Sequence, residues 1–483
     1  MHTKRRNHGG HGIEPRTRFV LYKVSALRLE SVASVVVHFR PSMKYSVITF
    51  GCRVNQADSL GFEEDLLRAG AVPAPAHAAD LVIVNTCSVT ATADQGARQT
   101  IRRIARDNPS ARIVVTGCYA TRSPDEVGAL PNVVRVVPND AKPRLVPLVV
   151  RSRDAGWEEV RSVGFSAGSA SSALSVTTAQ RFGDGEGSCG ASLEPGVAGR
   201  TAFTLRVQTG CAEACSYCII PTTRGAPRSV PIADVLREVE RVAQAGFKEI
   251  ALTGVHLGSY GRDLTPCTSL AALLRALDAR HDLLFRISSL EPMDCTPEVV
   301  DLVARSERFA PHFHLPLQHA SDRVLRAMCR PYTIAGYAAL VDDIRHRLPH
   351  ASIGSDIIVG FPGETDADVD QLAAYLERSP LTHIHAFPYS DRPGTAASAM
   401  RAKTPGAVVR ERGRRIREIG QRLTVTFRAS QIGTTHRALT LDDGSLAVTD
   451  NYLKVRIPPG RLRNEWIRVK MTAASDPLTA DVC

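Results

Sequence analysis

The chain has 483 residues, 43% of them hydrophobic, and a formal charge of +11 from 60 basic and 49 acidic side chains. That length exceeds one ordinary domain and predicts about three. No run approaches the roughly 18 uninterrupted apolar residues that a membrane span needs, which points to a soluble protein. Eleven cysteines, an odd count with three in one tight cluster and no recognisable secretion signal, predict thiolate ligands in a reducing, cytoplasmic setting instead of disulfide staples.

Residues 1–42 carry 8 basic and 2 acidic side chains without a clean apolar stretch, and are expected to be a disordered extension or an upstream start ahead of Met43. From residue 43 to about 150, short β-branched runs at Tyr45–Thr49, Leu81–Val84, Ile113–Thr116 and Val133–Val137 alternate with helical patterns, the mark of a parallel α/β domain. Residues 151–200 are rich in Ser, Ala and Gly and predict a linker, with Cys189 an incidental thiol inside it. From 201 to 400, strand candidates Phe203–Val207, Glu249–Thr253, Leu284–Ser288, His312–Leu315, Ser352–Val359 and Ile384–Phe387 alternate with helices. Six β/α units are short of the eight that close a barrel, so a partial, open barrel is expected.

Residues 401–425 predict a basic helical connector; the stretch 401–430 holds 9 basic and 2 acidic residues. That charge suits either docking onto a polyanion or simple solvation of an exposed helix. Residues 426–483 contain four strand-like pieces, Arg437–Leu441, Leu446–Val448, Lys454–Ile457 and Trp466–Met471, separated by turn signals. They predict a small β domain.

Three cysteines of the first domain stand just past its strands, in Thr49-Phe50-Gly51-Cys52, Val84-Asn85-Thr86-Cys87 and Val115-Thr116-Gly117-Cys118. Parallel strands present their carboxyl ends along one edge, where such folds bind ligands, so the three thiols are expected to meet there. The central signal is Gln208-Thr209-Gly210-Cys211-Ala212-Glu213-Ala214-Cys215-Ser216-Tyr217-Cys218, a CxxxCxxC loop after the first barrel strand. Soft thiolates select zinc or iron–sulfur clusters. Structural zinc wants four closed ligands, whereas three thiolates on a four-iron cluster leave one iron open to a cofactor or substrate.

These motifs resemble the radical S-adenosylmethionine (SAM) superfamily and, within it, the methylthiotransferases. The resemblance runs continuously over about residues 43–400. It implies that Cys211, Cys215 and Cys218 hold a 4Fe-4S cluster whose open iron is chelated by SAM, and that one-electron reduction cleaves SAM to a 5′-deoxyadenosyl radical. It implies a second 4Fe-4S cluster on Cys52, Cys87 and Cys118, concerned with holding or donating sulfur. Leu252-Thr253-Gly254-Val255-His256-Leu257-Gly258-Ser259-Tyr260-Gly261, Ser288-Ser289-Leu290-Glu291-Pro292 and Phe387-Pro388-Tyr389-Ser390 resemble the MtaB branch, which acts on N6-threonylcarbamoyladenosine beside the tRNA anticodon. The closing β domain is weakly similar to the TRAM RNA-binding domain, with Tyr452, Lys454, Arg456, Arg461 and Arg463 supplying an aromatic among basic residues.

The remaining candidates carry more than one reading each. Tyr217, before the last motif cysteine, is placed by the resemblance beside the adenine of SAM, or else packs the loop. Arg224 and Arg228 suit a SAM carboxylate, an RNA phosphate or plain solvation. Glu291 and Asp356, at carboxyl ends of barrel strands, suit the SAM amino group or ribose. His312, His314 and His319 look like metal ligands at first sight, but alternation puts His312 and His314 on one strand face, and packing or substrate contact is the expectation. Cys267, Cys295, Cys329 and Cys483 fall in no motif.

The expected function is a tRNA methylthiotransferase acting at C2 of N6-threonylcarbamoyladenosine, with two 4Fe-4S clusters and SAM as cofactors. Its expected partners are the tRNA anticodon stem-loop, a one-electron reductant, and iron–sulfur assembly and sulfur-supply proteins, with no membrane. The alternatives are a methylthiotransferase for N6-isopentenyladenosine or a ribosomal protein side chain and, in another class, a non-catalytic RNA-binding protein stabilised by metal.

Overall fold

The computed structural model describes residues 42–154 (without the side chains of 151–154), residue 195, and residues 201–279 and 283–483. Nearly all of the expected extension and linker, Cys189 included, lie outside the described residues. The first domain is a five-stranded sheet in which β1 (Lys44–Thr49), β2 (Val72–Pro73), β3 (Leu81–Thr86), β4 (Arg112–Gly117) and β5 (Val133–Val137) run parallel in the order β2-β1-β3-β4-β5. β3 is buried along its whole length and β4 everywhere but its first residue, because helices cover both faces. Two apolar cores result, one holding Val82, Val84, Ile101 and Val115 and the other Tyr45, Phe62, Leu66 and Val114.

The second domain contributes β6 (Ala202–Arg206), the short antiparallel pair β7 (Gln208–Thr209) and β8 (Arg228–Ser229), then β9 (Glu249–Thr253), β10 (Leu284–Ile287), β11 (His312–His314), β12 (Ser352–Val359) and β13 (His383–Pro388). β6, β9 and β10 pair in parallel, as do β11, β12 and β13, and a parallel bridge from Phe285 to Phe309 lies between the two groups. These six parallel strands, joined by helices, make the partial barrel. Alternation along the strands sorts the side chains. Phe203, Leu205, Ile250, Leu252, Phe285, Ile287, Phe313 and Ile353 pack outward in one core with the helices, while Arg286, His312, His314, Asp356, His383 and His385 cluster on the concave side.

A 25-residue helix, Gly406–Ser430, follows. Then β14 (Thr435–Leu441), β15 (Leu446–Thr449), β16 (Lys454–Arg456), β17 (Trp466–Ala473) and β18 (Leu478–Val482) close a small barrel in the order β14-β15-β16-β18-β17. The sequence pattern missed β18, whose Leu478 and Ala480 fill the barrel interior. The described residues form one compact unit. Its parts are joined by polar contacts: Arg206 to Asp58 at 2.6 Å, Arg392 to Asp94 at 2.7 Å, and Asn451 to the His350 carbonyl at 2.9 Å.

Candidate active site

Cys52 stands before the helix Arg53–Arg68, Cys87 follows β3, and Cys118 opens the short helix Cys118–Arg122 after β4. Parallel pairing in register puts all three at the carboxyl edge of adjacent strands. Two glycines allow the close approach. Gly51 (φ +90) lies so near Cys87 that any Cβ would overlap it, and Gly117 (φ +97) is pressed against the Thr86 backbone. Cys87 and Cys118 are buried and Cys52 is exposed. Burial, together with the neighbouring Cys52 and Cys118, pushes the Cys87 thiol up to about 12.

Cations answer that crowding. Burial opposes ionisation of Cys118, yet Arg224 and Lys142 more than offset it, and its thiol falls below its ordinary value. Both cations are buried. Arg224 donates to Asn55 Oδ1 at 2.5 Å, and Lys142 to Asp58 Oδ2 at 2.6 Å. Asp58 is fully enclosed. Burial raises its carboxyl, but Lys142, Arg206 and Arg224 hold it well below the usual carboxylate range. Asn139 Nδ2 lies 3.6 Å from Cys118 Sγ and donates to the Thr223 carbonyl at 2.8 Å.

Thr223 and Arg224 belong to the helix Ile220–Arg224, which directly follows the second cysteine loop. In that loop, the Glu213 N–H points at Cys211 Sγ (3.4 Å) and Arg330 Nη1 donates to Cys215 Sγ at 3.0 Å. His256 hydrogen-bonds both Cys211 and Asp294; burial opposes its charge, but these partners raise it to about 9, with Asp294 at 2.7 Å. Burial raises Cys215 and pushes Cys218 up to about 12. Donors aimed at sulfur are what thiolate ligands require. Both trios therefore fit a thiolate-held metal group, and such a group would supply the positive charge that Cys87 and Cys218 lack.

The other candidates fall out unevenly. Tyr217 packs against the cluster of Val324, Met328, Phe361 and Ala397, the packing outcome. Glu291 pairs with Arg330, the same guanidinium that touches Cys215, so it stands one residue from the loop. Arg228 is exposed on β8. Arg224 is buried, donates to Thr209 Oγ1 at the start of the barrel loop at 3.4 Å, and otherwise turns to Asn55, Asp58 and Cys118 of the first domain. Asp356 Oδ1 lies 3.1 Å from His314 Nε2 and 3.2 Å from His385 Nδ1. Burial raises its carboxyl, and these two imidazoles bring it well below the carboxylate range. Ligand atoms of His314, Asp356 and His385 lie within 4.8 Å of one another. His312, by contrast, is kept neutral by burial and by Arg286. Tyr452, counted above among RNA-facing residues, lays its ring on Arg286 instead, 3.7 Å from the guanidinium carbon. Of the unassigned cysteines, Cys295 lies in the barrel core, and Cys267, Cys329 and Cys483 are exposed.

Sequence reasoning missed Lys142, Asp58, Asn139, His256, Arg330 and Arg286 as parts of these sites. His256 alone stood in a quoted motif, Leu252–Gly261. The rest are ordinary polar residues whose meaning comes from what the fold puts beside them.

A partial parallel barrel with a three-cysteine loop just after its first strand defines a radical SAM enzyme, and residues 205–376 match the model of the radical SAM superfamily. Residues 44–138 match a second model, described as uncharacterized protein family UPF0004. In fold, the chain is similar to the radical SAM methyltransferase TsrM of Kitasatospora setae, with a TM-score of 0.51 at 16% identity over 74% of each chain. Among full-length relatives, it is 35% identical over 416 residues to the Aquifex aeolicus protein named threonylcarbamoyladenosine tRNA methylthiotransferase MtaB, covering 86% of this chain and 96% of that one. The Bacillus subtilis protein of the same name is 33% identical, with 84% and 88% covered. A tRNA-2-methylthio-N(6)-dimethylallyladenosine synthase of Paenarthrobacter aurescens is 31% identical, with 86% and 78% covered. The chain belongs to the radical SAM methylthiotransferase family, in its MtaB branch. That family membership brings SAM and a 4Fe-4S cluster as cofactors. No helix among the described residues is long and apolar enough to cross a membrane.

Proposed function

We propose that the enzyme transfers a methylthio group to C2 of N6-threonylcarbamoyladenosine in the anticodon stem-loop of tRNA, using two 4Fe-4S clusters. Cys211, Cys215 and Cys218 would hold the barrel cluster, and Cys52, Cys87 and Cys118 the second one. One observation carries the reading: the helix that follows the Cys218 loop delivers Arg224 to Cys118, so two three-thiol sites share one short element. When bound, the barrel cluster and one SAM would supply the radical that takes hydrogen from C2, the second cluster would supply the sulfur, and a second SAM would supply the methyl group.

The protein's own part is orientation and charge control. Arg330 and His256 stabilise the thiolates of the barrel loop. Glu291, held by Arg330, would meet the amino group of SAM. The concave face offers Asp356 with His314 and His385 as hydrogen-bonding groups for ribose or base. Arg228 remains a candidate for the SAM carboxylate. Docking of the polyanion falls to the small barrel, whose Lys454 and Arg456 are exposed. A one-electron reductant, iron–sulfur assembly proteins and a sulfur supply complete the partners, in the cytoplasm.

Two measurements test this. Anaerobic iron and sulfide analysis should give about eight of each per chain; zinc without sulfide would end the proposal. Mass spectrometry of tRNA nucleosides should show 2-methylthio-N6-threonylcarbamoyladenosine lost on gene deletion and restored by the wild-type gene. If 2-methylthio-dimethylallyladenosine disappears in its place, the substrate is that of the Paenarthrobacter relative.

A further inference from the structure

A cavity of about 570 Å³ opens where the three parts of the molecule meet, a size typical of small-molecule sites. The first domain contributes Cys52 and Arg53, the partial barrel Thr204 on β6 and Arg286 on β10, and the small barrel Tyr452 and Lys454. It therefore shares Cys52 with the first cysteine trio.

The hydrogen bonding of Arg286 is incomplete. Its side chain is 4% exposed, and Nη2 meets Glu249 Oε1 at 3.0 Å. Nε and Nη1 have no hydrogen-bond partner. A buried guanidinium normally has its donors filled, and two idle ones on a cavity wall call for an acceptor. The Tyr452 ring covers one face of that guanidinium, and Arg53 Nη2 donates to the Tyr452 hydroxyl at 3.3 Å. Among the described residues, Glu249 is the one carboxylate paired with Arg286, while Arg53 and Lys454 add two more cations to the walls.

Burial works against the Arg286 charge, but Glu249 and then Tyr452 sustain it. What is unmet at this guanidinium is the hydrogen bonding of Nε and Nη1, which a bound acceptor would complete.

We propose that Arg286 and Arg53 form a carboxylate-binding subsite that takes the amino-acid arm of the substrate base and selects threonylcarbamoyl over dimethylallyl adenosines. The proposal rests on the function proposed above and names the residues that set its specificity. A threonylcarbamoyl arm ends in a carboxylate, ionised at neutral pH, which a guanidinium binds through paired, charge-assisted hydrogen bonds. A dimethylallyl arm is hydrocarbon; it would bury the idle donors without filling them, the situation in which polar sites reject analogues most strongly. Tyr452 and Lys454, carried by the small barrel, line the cavity, so the domain suited to hold RNA would also meet the arm. A phosphodiester of the RNA is the other anion that two arginines could bind, and the experiment separates the two sources.

The reconstituted enzyme, without reductant so that no turnover occurs, would be titrated with three anticodon stem-loops of one sequence. These carry N6-threonylcarbamoyladenosine, its neutral carboxamide analogue, or unmodified adenosine, and Kd is read by fluorescence anisotropy. Wild type should prefer carboxylate to carboxamide by about 50-fold. Arg286→Gln should cut that preference to about threefold or less, with the Kd for unmodified RNA within about twofold of wild type. Arg53→Gln, on the half-exposed rim, should act in the same direction and keeps the test valid if loss of the buried Arg286 disturbs folding. Equal weakening on all three RNAs would assign both arginines to phosphate and overturn the proposal. So would a wild type that methylthiolates the threonylcarbamoyl RNA on adding reductant yet binds carboxylate and carboxamide alike; that result leaves the proposed function standing. A wild type inactive on the threonylcarbamoyl RNA overturns both.

Discussion

The two cysteine trios reach a similar end by opposite routes. The barrel trio is local: Cys211, Cys215 and Cys218 lie on one loop, and its charge partners Arg330 and His256 arrive from elsewhere on the same barrel. The first-domain trio is gathered from three strand ends, and its decisive cation, Arg224, comes from the other domain. A loop-borne site needs only its loop to be anchored. A strand-gathered site depends on sheet register, on two glycines that let the loops touch, and on the interface that inserts Arg224. The first-domain site should therefore be the more fragile of the two.

The largest expected effects break the comparison chemically. Cys215→Ala should abolish 5′-deoxyadenosine formation, whereas Cys87→Ala should retain it while product methylthiolation falls to background; each variant should keep about four of about eight irons. Chromatography of reductive SAM cleavage checks both, and loss of cleavage in Cys87→Ala would contradict the division of labour.

Next comes the shared helix. Arg224→Met removes a buried cation from beside Cys118 and Asp58, leaving Lys142 and Arg206 to hold that carboxylate. Removing one member of a buried charge network costs about 3 kcal/mol. The melting temperature should drop, and in a Cys215→Ala background the remaining iron should be lost as well. Arg330→Gln, its counterpart in the barrel, should spare the first-domain iron.

The smallest effect lies on the helix that follows Cys52. Glu63, buried in the helix Arg53–Arg68, is raised by burial from 4.5 to about 8. The folded state thus holds its proton more tightly than the unfolded chain does. The associated stability is fully present below about 4.5 and is lost as pH rises through 8. Glu63→Gln should flatten that loss and gain about 1–3 kcal/mol over wild type at pH 9. Denaturant titrations at pH 5 and pH 9 check the sign.

Much of this molecule is written locally. The strand runs, the CxxxCxxC loop and the three post-strand cysteines follow from period-2 patterning and from the rule that parallel strands end on one edge, and the expected and observed strands agree within a residue or two. The edge strand Val72–Pro73 and the final strand Leu478–Val482 escaped, being too short or too weakly patterned to stand out from loops. Chain charge was less informative. The arginines of the helix Gly406–Ser430 suited either polyanion docking or solvation, and in the fold Arg412 pairs with Glu364 and Asp366, Arg414 with Glu411 and Glu418, Arg415 with Asp370, and Arg422 with Glu377.

The sequence by itself determined which thiols exist, where along each strand they stand, and hence the class of chemistry. Only the tertiary structure decided which cations serve them and what faces the cavity. Arg224 is no different in sequence from Arg228, but one is buried against Cys118 and the other is exposed on β8. Arg286 becomes a recognition group because the fold fills one of its donors and leaves two idle. Ligand identity is a property of residue type and spacing, which the chain carries locally. Electrostatic environment is a property of neighbours distant in sequence, and it exists only once the three parts have packed together.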